Sequence, residues 1–540
     1  MKKAIIFLLL LFSMQNTVAQ RNVILLIADD LGTDYFGCYE DAKDTVDLPN
    51  IRTLVKRGVR FQNAHSNPVC SSTRASILTG RYGFRTGVGG IVGGAGGSNQ
   101  LPISEKTIPQ LLALYKPAIA KANIGKWHLH QPNPAANLMN PLTLGYDRYE
   151  GPFIGQLPSY TNWTKYTNGQ ASTVSRYATS ENIDNAVSWL KSINNKQFFL
   201  WIGFNAPHAP FHLPPANLHQ YTNLSGTAPD IRNNPKSYFK AMLQSLDTEI
   251  GRLFDSLKVI NKYDSTDFIF IGDNGNTAVT AQISDTSRAK GTVYQYGIHV
   301  PFIIAGPSVI QPGRASSQLV NAADIFATTL ELMGDTAWRN NIPTTKPVDA
   351  KSILPILKNK NIAIRPWAFS ENFKLIPDES DAKAIRNLDY KIIKFDNGKE
   401  EFYHLATDPG ELNNLLIGNM NADAITNYQY LCASLSNLLG STAYCNTTLS
   451  VNNTLPAANE IAYPNPFVDF IQIDQSYFDC NIQLTNLSGA EIYSGKEIYN
   501  QNFSAIPSGI YFLKSTTGIP FQLKLVKTKG KKLHSSFAFC

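Results

Sequence analysis

Four short, uninterrupted apolar runs mark the first 305 residues: Asn22–Ala28, Phe198–Ile202, Phe268–Ile271 and Phe302–Ala305. None alternates apolar with polar. Such runs predict strands buried on both faces, as in a parallel sheet. Helical periodicity lies between them. Ser180 is placed to cap a helix running to about Ile193, with Val187, Trp189 and Leu190 on one side. A longer amphipathic helix is predicted from about Tyr238 to Leu257. Helices alternating with buried strands predict an α/β fold with a doubly wound central sheet. From about residue 363 the pattern changes to short strand-like pieces, Tyr390–Phe395 and Glu401–Leu405. A polar stretch rich in Asn and Thr, residues 446–459, reads as a linker. Beyond it, Ile471–Ile473, Ile482–Leu484 and Ile510–Leu513 alternate as β-strands of a separate unit.

The polar residues at the ends of the apolar runs carry the candidate chemistry. Asp29 and Asp30 close the first run, and Asp273 and Asn274 follow Phe268–Ile271. Open α/β sheets bind ligands at the carboxyl ends of their strands. Two carboxylates at roughly 4 Å repel by about 4 kcal/mol at an effective dielectric near 20, a cost that a bound cation removes. Alone, two acids in a solvated loop are an equal alternative. The four residues form an oxygen-only donor set, which hard cations prefer, Ca²⁺ tolerating irregular geometry better than Mg²⁺.

Residues 68–81 (PVCSSTRASILTGR) read as a loop entering a short helix. Ser71, Ser72 and Thr73 suit its N-terminus as caps, and Gly80 suits the position past its end. Cys70 then sits at the positive end of the helix, where an anion is favoured. Arg74, four residues on, shares its face. Without context, a buried thiol and a surface charge would be the plainer reading.

Composition narrows the class. The chain has 540 residues, 43% hydrophobic and 16% charged, enough for several globular domains. The net charge of +7 is spread along the chain apart from a Lys-rich end, and no basic stripe carries interleaved aromatics. Nucleic acid is therefore not an expected partner. Lys2 and Lys3, the apolar run Ala4–Phe12 and the small residues of Thr17–Ala19 predict a signal peptide over residues 1–20. The run is shorter than the ~20 residues of a membrane span, and no later stretch qualifies. No transmembrane segment is expected in the mature chain. The six cysteines lack zinc-type pairing, and Cys432 and Cys445 are close enough in sequence for a local disulfide in an oxidising compartment.

The stretch from Cys70 to Arg81 resembles the signature of the type I sulfatases, Cys-x-Pro-Ser-Arg followed by Thr-Gly-Arg, with Ser72 in place of the usual Pro. Three further segments resemble motifs of that family. They are Gly125-Lys126-Trp127-His128-Leu129, the turn Ala206-Pro207-His208, and the loop from Lys290 to Pro301. In the last, Gln295, Tyr296 and His299 depart from the family's Glu, Gly and Arg. Thr407–Leu415 resembles the turn that ends the family's C-terminal subdomain. The tail, opening with Tyr463–Phe467, resembles the sorting domain of the type IX secretion system.

The resemblance implies an alkaline-phosphatase-like catalytic domain over residues 21–362. It also implies a small antiparallel-sheet subdomain over 363–445, a linker over 446–460 and a β-sandwich sorting domain over 461–540. It implies conversion of Cys70 to formylglycine by a formylglycine-generating enzyme. It further implies one Ca²⁺ held by Asp29, Asp30, Asp273, Asn274 and the modified Cys70. Lys126 and Lys290 would neutralise a sulfate, His208 together with Lys290 protonate the leaving alcohol, His128 accept a proton from the second hydroxyl, and Arg74 orient and stabilise the formylglycine side. His130 and His212 have no family counterpart and are expected at the surface or substrate edge. Loops near 86–100 and 150–180 are expected to form the pocket rim.

The expected product is a secreted or cell-surface sulfatase that passes through the periplasm, meets the type IX machinery and acts on sulfated carbohydrate or another sulfate ester. Two rivals remain. One is a phosphomonoesterase or phosphodiesterase of the same fold; the other is a surface protein that binds sulfated glycans without turnover.

Overall fold

The computed structural model describes residues 21–360, 362–441, 445, 462–474, 477–486, 490–517 and 522–528. The predicted signal peptide, the 446–460 linker and the end from 529 to 540 lie outside the described residues.

A ten-stranded mixed sheet forms the centre. Its strands are β1 (Asn22–Ala28), β2 (Gly58–His65), β3 (Ala120–Gly125), β4 (Arg148–Gly151), β5 (Trp163–Thr167), β6 (Gln170–Val174), β7 (Phe198–Gly203), β8 (Thr266–Gly272), β9 (Phe302–Ala305) and β10 (Arg314–Asn321). They lie in the order β10-β2-β9-β8-β1-β7-β3-β4-β5-β6. The apolar run of β1 has a simple cause. Val23, Leu25 and Ile27 belong to the core on one face, and Ile24, Leu26 and Ala28 to the core on the other. Helices Cys70–Thr79, Ile108–Tyr115 and Asp324–Leu332 cover the first face. Pro49–Arg57, Ala178–Ser192 and Pro235–Val259 cover the second. The sheet is thus sandwiched between helices, as the alternation of buried strands and helices predicts.

β8, β1, β7 and β3 are neighbours and run parallel, so their carboxyl ends share one edge. β9 departs from a wholly parallel reading: it pairs antiparallel with both β8 and β2. Its direction brings the loop that precedes it, with Lys290, to that same edge, and leaves β2 parallel to β8. The segment after β2, which opens the Cys70 helix, therefore arrives there as well.

Four antiparallel strands follow in sequence order, β11 (Ala368–Asn372), β12 (Ala382–Arg386), β13 (Tyr390–Phe395) and β14 (Glu400–His404). The helix Ala422–Leu439 packs on them through Tyr428, Leu431 and Leu435. The Cys432–Cys445 disulfide is formed. In the tail, β15 (Ala462–Tyr463) pairs with β16 (Gln472–Ile473). A second antiparallel sheet has the order β18 (Glu491–Gly495), β17 (Ile482–Asn486), β19 (Gly509–Ser515), β20 (Gln522–Lys527). Phe467, Ile482, Leu484 and Leu513 belong to the core of this unit. No helix among the described residues is long and apolar enough to cross a membrane.

Two helix starts differ from expectation. Ser180 lies inside its helix, which begins at Ala178, and its hydroxyl donates to Glu249 Oε1 at 2.5 Å. Ser71, Ser72 and Thr73 do not cap the Cys70 helix, which starts after Val69 without a side-chain cap. Their hydroxyls are engaged elsewhere: Ser71 Oγ accepts from Val92 N, Ser72 donates to Val69 O, and Thr73 donates to Asn67 O. The Ser71 contact ties the Gly-rich 86–100 loop to this helix. Gly80 ends the helix in the left-handed region, φ 70°, as expected.

Candidate active site

The loops at the shared sheet edge bring the sequence-predicted residues into one buried cluster. Asp29 and Asp30 follow β1, Lys126 and His128 follow β3, His208 follows β7, and Asp273 and Asn274 follow β8. Cys70, 1% exposed, is the first residue of its helix. Lys126 Nζ lies 2.5 Å from Asp29 Oδ2, and Lys290 Nζ lies 2.5 Å from Asp30 Oδ1. His208 Nε2 is 3.5 Å from Asp30 Oδ2. Asp30 N donates to Asp273 Oδ1 at 3.0 Å, and Asn274 Nδ2 to Asp30 Oδ1 at 2.9 Å.

Arg74 does not point a free charge at Cys70. Its Nε and Nη2 donate to Asp273 Oδ2 at 3.1 and 2.9 Å, and its Nη1 donates to Lys126 O at 3.1 Å. Two non-glycine residues adopt left-handed backbone here, Asp30 at φ 61° and His128 at φ 55°. Such conformations cost energy and persist where surrounding contacts over-determine them, often at functional sites.

Three oxygens of this cluster are buried without a hydrogen-bond partner: Asp29 Oδ1, Asp30 Oδ2 and Asn274 Oδ1. Buried acceptors are ordinarily satisfied, so three together call for a bound group. All three are hard oxygen donors, which fits a Ca²⁺-type cation. Ligand atoms of Asp29, Cys70 and Asp273 also lie within 4.8 Å of one another, as do those of Asp29, Asp30 and His208.

The electrostatics assign protons. Burial alone would raise the Asp29 carboxyl, but Lys126, then His208, Arg74 and Lys290, outweigh it and hold Asp29 well below the usual carboxylate range. Asp273 is pushed up by burial and by the charge of Asp29, against Arg74 and Lys126. Burial raises the Cys70 thiol, and burial with Lys126 lowers His128. Both are therefore neutral, and Cys70 Sγ and His128 Nδ1 are hydrogen-bonded across 3.3 Å.

Of the two histidines expected at the surface or substrate edge, His130 lies deeper. His130, 3% exposed, stacks on Trp127, accepts from Trp127 Nε1 at 3.0 Å through Nδ1 and has Nε2 2.8 Å from Leu101 O. It is a core histidine, not a surface one. His212 is partly buried against Tyr160, ring centroids 4.2 Å apart, with Nε2 3.2 Å from the Tyr177 hydroxyl. Tyr160, which no sequence motif singles out, places its hydroxyl 2.6 Å from Asn205 O and 2.7 Å from His208 O. It thereby supports the His208 turn. Beyond Tyr177 opens a cleft of about 530 Å³ lined by Arg176, Glu249 and Arg252, whose guanidiniums are already paired with Asp184 and Glu249.

Comparison with known proteins gives this geometry its family. The sulfatase domain matches residues 21–335, an N-sulphoglucosamine sulphohydrolase C-terminal domain matches 288–437, and a secretion system C-terminal sorting domain matches 461–528. Human N-acetylgalactosamine-6-sulfatase is 25% identical over 458 residues, covering 72% of this chain and 80% of its own. The crystal structure of Ps i-CgsB in complex with k-i-k-neocarrahexaose superposes with a TM-score of 0.63 at 23% identity, covering 78% of this chain and 92% of that one. A Bacteroides thetaiotaomicron structure, described under the metabolism of multiple glycosaminoglycans, gives a TM-score of 0.65 at 20% identity, covering 80% and 99%. At these identities the two structures establish the shared fold. The domain matches establish that the chain belongs to the sulfatase family, as a sulfuric ester hydrolase carrying a C-terminal type IX sorting domain.

Proposed function

We propose that this sulfatase hydrolyses sulfate monoesters on fragments of sulfated polysaccharides, through formylglycine made from Cys70 and a single Ca²⁺. The observation that carries the reading is the placement of Cys70, buried at a helix N-terminus with His128 Nδ1 3.3 Å from its Sγ. There Sγ marks the position of the oxygen that modification would introduce. The residues for the metal are Asp29, Asp30 and Asn274, each with an unpartnered buried oxygen, and Asp273, whose carboxylate lies beside them. Bound there, Ca²⁺ would supply Lewis-acid activation of a hydroxyl of the hydrated aldehyde as nucleophile toward sulfur.

The chain's own groups account for the rest. Lys126 and Lys290 neutralise the sulfate oxygens from two sides. Asp273, held by Arg74, stands beside the nucleophile. His208 Nε2 delivers a proton to the leaving alcohol oxygen. His128, kept neutral by burial, accepts through Nδ1 the proton of the remaining hydroxyl when sulfate departs. Arg74 fixes Asp273 and the Lys126 backbone in register.

Export favours external polymers as substrates. The N-terminal signal peptide would carry the chain to the periplasm, and the tail would pass it to the type IX machinery for release or surface attachment. The catalytic unit is assigned to 21–362 and 363–445, and the sorting unit to 461–540.

Free sulfate released from a panel of sulfated oligosaccharides, before and after chelation, tests this. Release should stop on chelation and return with Ca²⁺ better than with Zn²⁺, which favours nitrogen and sulfur ligands. Faster turnover of phosphate esters under Zn²⁺ than of sulfate esters under Ca²⁺ would replace this reading with the phosphatase one.

A further inference from the structure

We infer that Gly155 is a positioning residue for His128: its missing side chain is what lets the imidazole lie against Cys70. The inference rests on the role of His128 proposed above. A Cβ at Gly155 would sit 2.3 Å from His128 Cε1, 2.5 Å from Nε2 and 3.0 Å from Nδ1. Non-bonded carbons do not approach below about 3 Å without displacement, because a close-packed interior leaves no slack. The glycine is not needed for its backbone, since Gly155 is absent from the residues with positive φ. The atoms nearest an added Cβ all belong to the His128 ring.

His128 has little freedom to yield. Its amide donates to Phe153 O at 3.1 Å, and the preceding amide of Trp127 donates to Pro152 O at 3.1 Å. The loop that carries Gly155 is thus fastened to the segment that carries His128. With His128 also held at φ 55°, relief must come from turning the ring. A turn removes Nδ1 from its place 3.3 Å from the side chain at position 70. Ile154 and Gln156 on either side are exposed, so the same loop forms the rim above the ring.

The test is a double-mutant cycle in the metal-loaded, fully exported enzyme. Gly155→Ala should lower kcat by about tenfold or more, since a misplacement near 1 Å can cost about a hundredfold. KM should stay within about twofold, because substrate binding is not what is lost. In a His128→Ala background the same substitution should cost little further, as the three ring atoms nearest its Cβ are then gone; a general loop defect would add in full. Should Gly155→Ala alone fold poorly, the His128→Ala background should restore its thermal stability. If His128→Ala is itself fully active, the role proposed for His128 fails and this inference with it. If His128→Ala is impaired while Gly155→Ala is silent, or its effect adds in full, Gly155 alone is misassigned.

Discussion

Arg74 donates twice to a single oxygen of Asp273, Oδ2, and leaves Oδ1 to accept from the Asp30 amide. One side chain from the Cys70 helix therefore orders the loops after β8 and β1, and through Lys126 O the loop after β3. Arg74 and Asp273 are both fully buried. Removing one partner of such a pair leaves an uncompensated charge at a cost of about 3–5 kcal/mol.

Arg74→Lys should therefore damage stability and activity together. A lysine cannot reproduce the planar fork that serves Asp273 and Lys126 O at once. Denaturant unfolding is expected to show a loss of at least ~2 kcal/mol, and sulfate release a fall of at least ~100-fold, because Asp273 loses its orientation. A lysine variant with wild-type stability and turnover would remove Arg74 from the framework of the site.

Cys70 is expected to be formylglycine in active preparations. Mass spectrometry of the peptide containing Cys70 should find aldehyde in place of thiol, and the converted fraction should scale with turnover per chain. With Ser72 at the usual proline position, conversion in a foreign host is expected to be partial. Full activity in a preparation holding only the thiol would end the formylglycine reading.

Much of this site is legible in the sequence because β1 obeys a strict constraint. Both its faces meet a core, so every residue from Val23 to Ala28 is apolar, and the break at Asp29 announces the functional edge. β9 was not legible in the same way, since Phe302–Ala305 reads alike in either direction and only pairing with β2 and β8 fixes it. Ser71–Thr73 have the chemistry of caps, yet each hydroxyl finds another partner, in Ser71's case 21 residues away. His130 looked superficial because its burial depends on Leu101, which no local pattern connects to it. Gly155 carries no signal in sequence, for only the folded loop brings it onto His128.

His130 gives a pH prediction. Its Nδ1 accepts from Trp127, so Nε2 carries the proton and donates to Leu101 O. Burial lowers its pKa to about 4. The unfolded chain, with a histidine near 6.5, binds more protons than the folded one between those values, so stability rises with pH there. It should be fully present above about pH 6.5 and fall toward pH 4 by up to ~3 kcal/mol. Thermal melts of His130→Asn between pH 7 and 5 should fall less steeply than those of the wild type, whatever their absolute position. An unchanged slope would mean that other groups set the acid response.

The tail should be separable from catalysis. None of the site residues comes from beyond residue 441, and the tail has its own apolar core. A chain ending near residue 450 should keep kcat and KM and lose surface location in a host with a type IX system. Loss of turnover with the fold intact would make the tail part of the active unit.

Asp273 and His208 should fail in different ways. Asp273 faces Asp29, Cys70 and Arg74, which puts it among the proposed ligands of the cation. His208 stands at the Asp29–Asp30 side of the same site, with Nε2 3.5 Å from Asp30 Oδ2 and its ring anchored by Nδ1 2.7 Å from Ala209 O. Asp273→Asn keeps the shape but removes a charge from the metal and from Arg74. Elemental analysis should find calcium lost along with turnover. His208→Ala should keep its calcium, and its loss of rate should depend on the ester. A proton donor contributes about 10²–10⁴-fold, and most where the leaving alcohol is a poor one. Turnover of a sugar sulfate should therefore fall much further than that of an aryl sulfate, whose phenolate departs with less help. Equal losses on both esters, or calcium lost from the His208 variant, would make His208 a structural or metal-binding group and leave the leaving-group proton to Lys290.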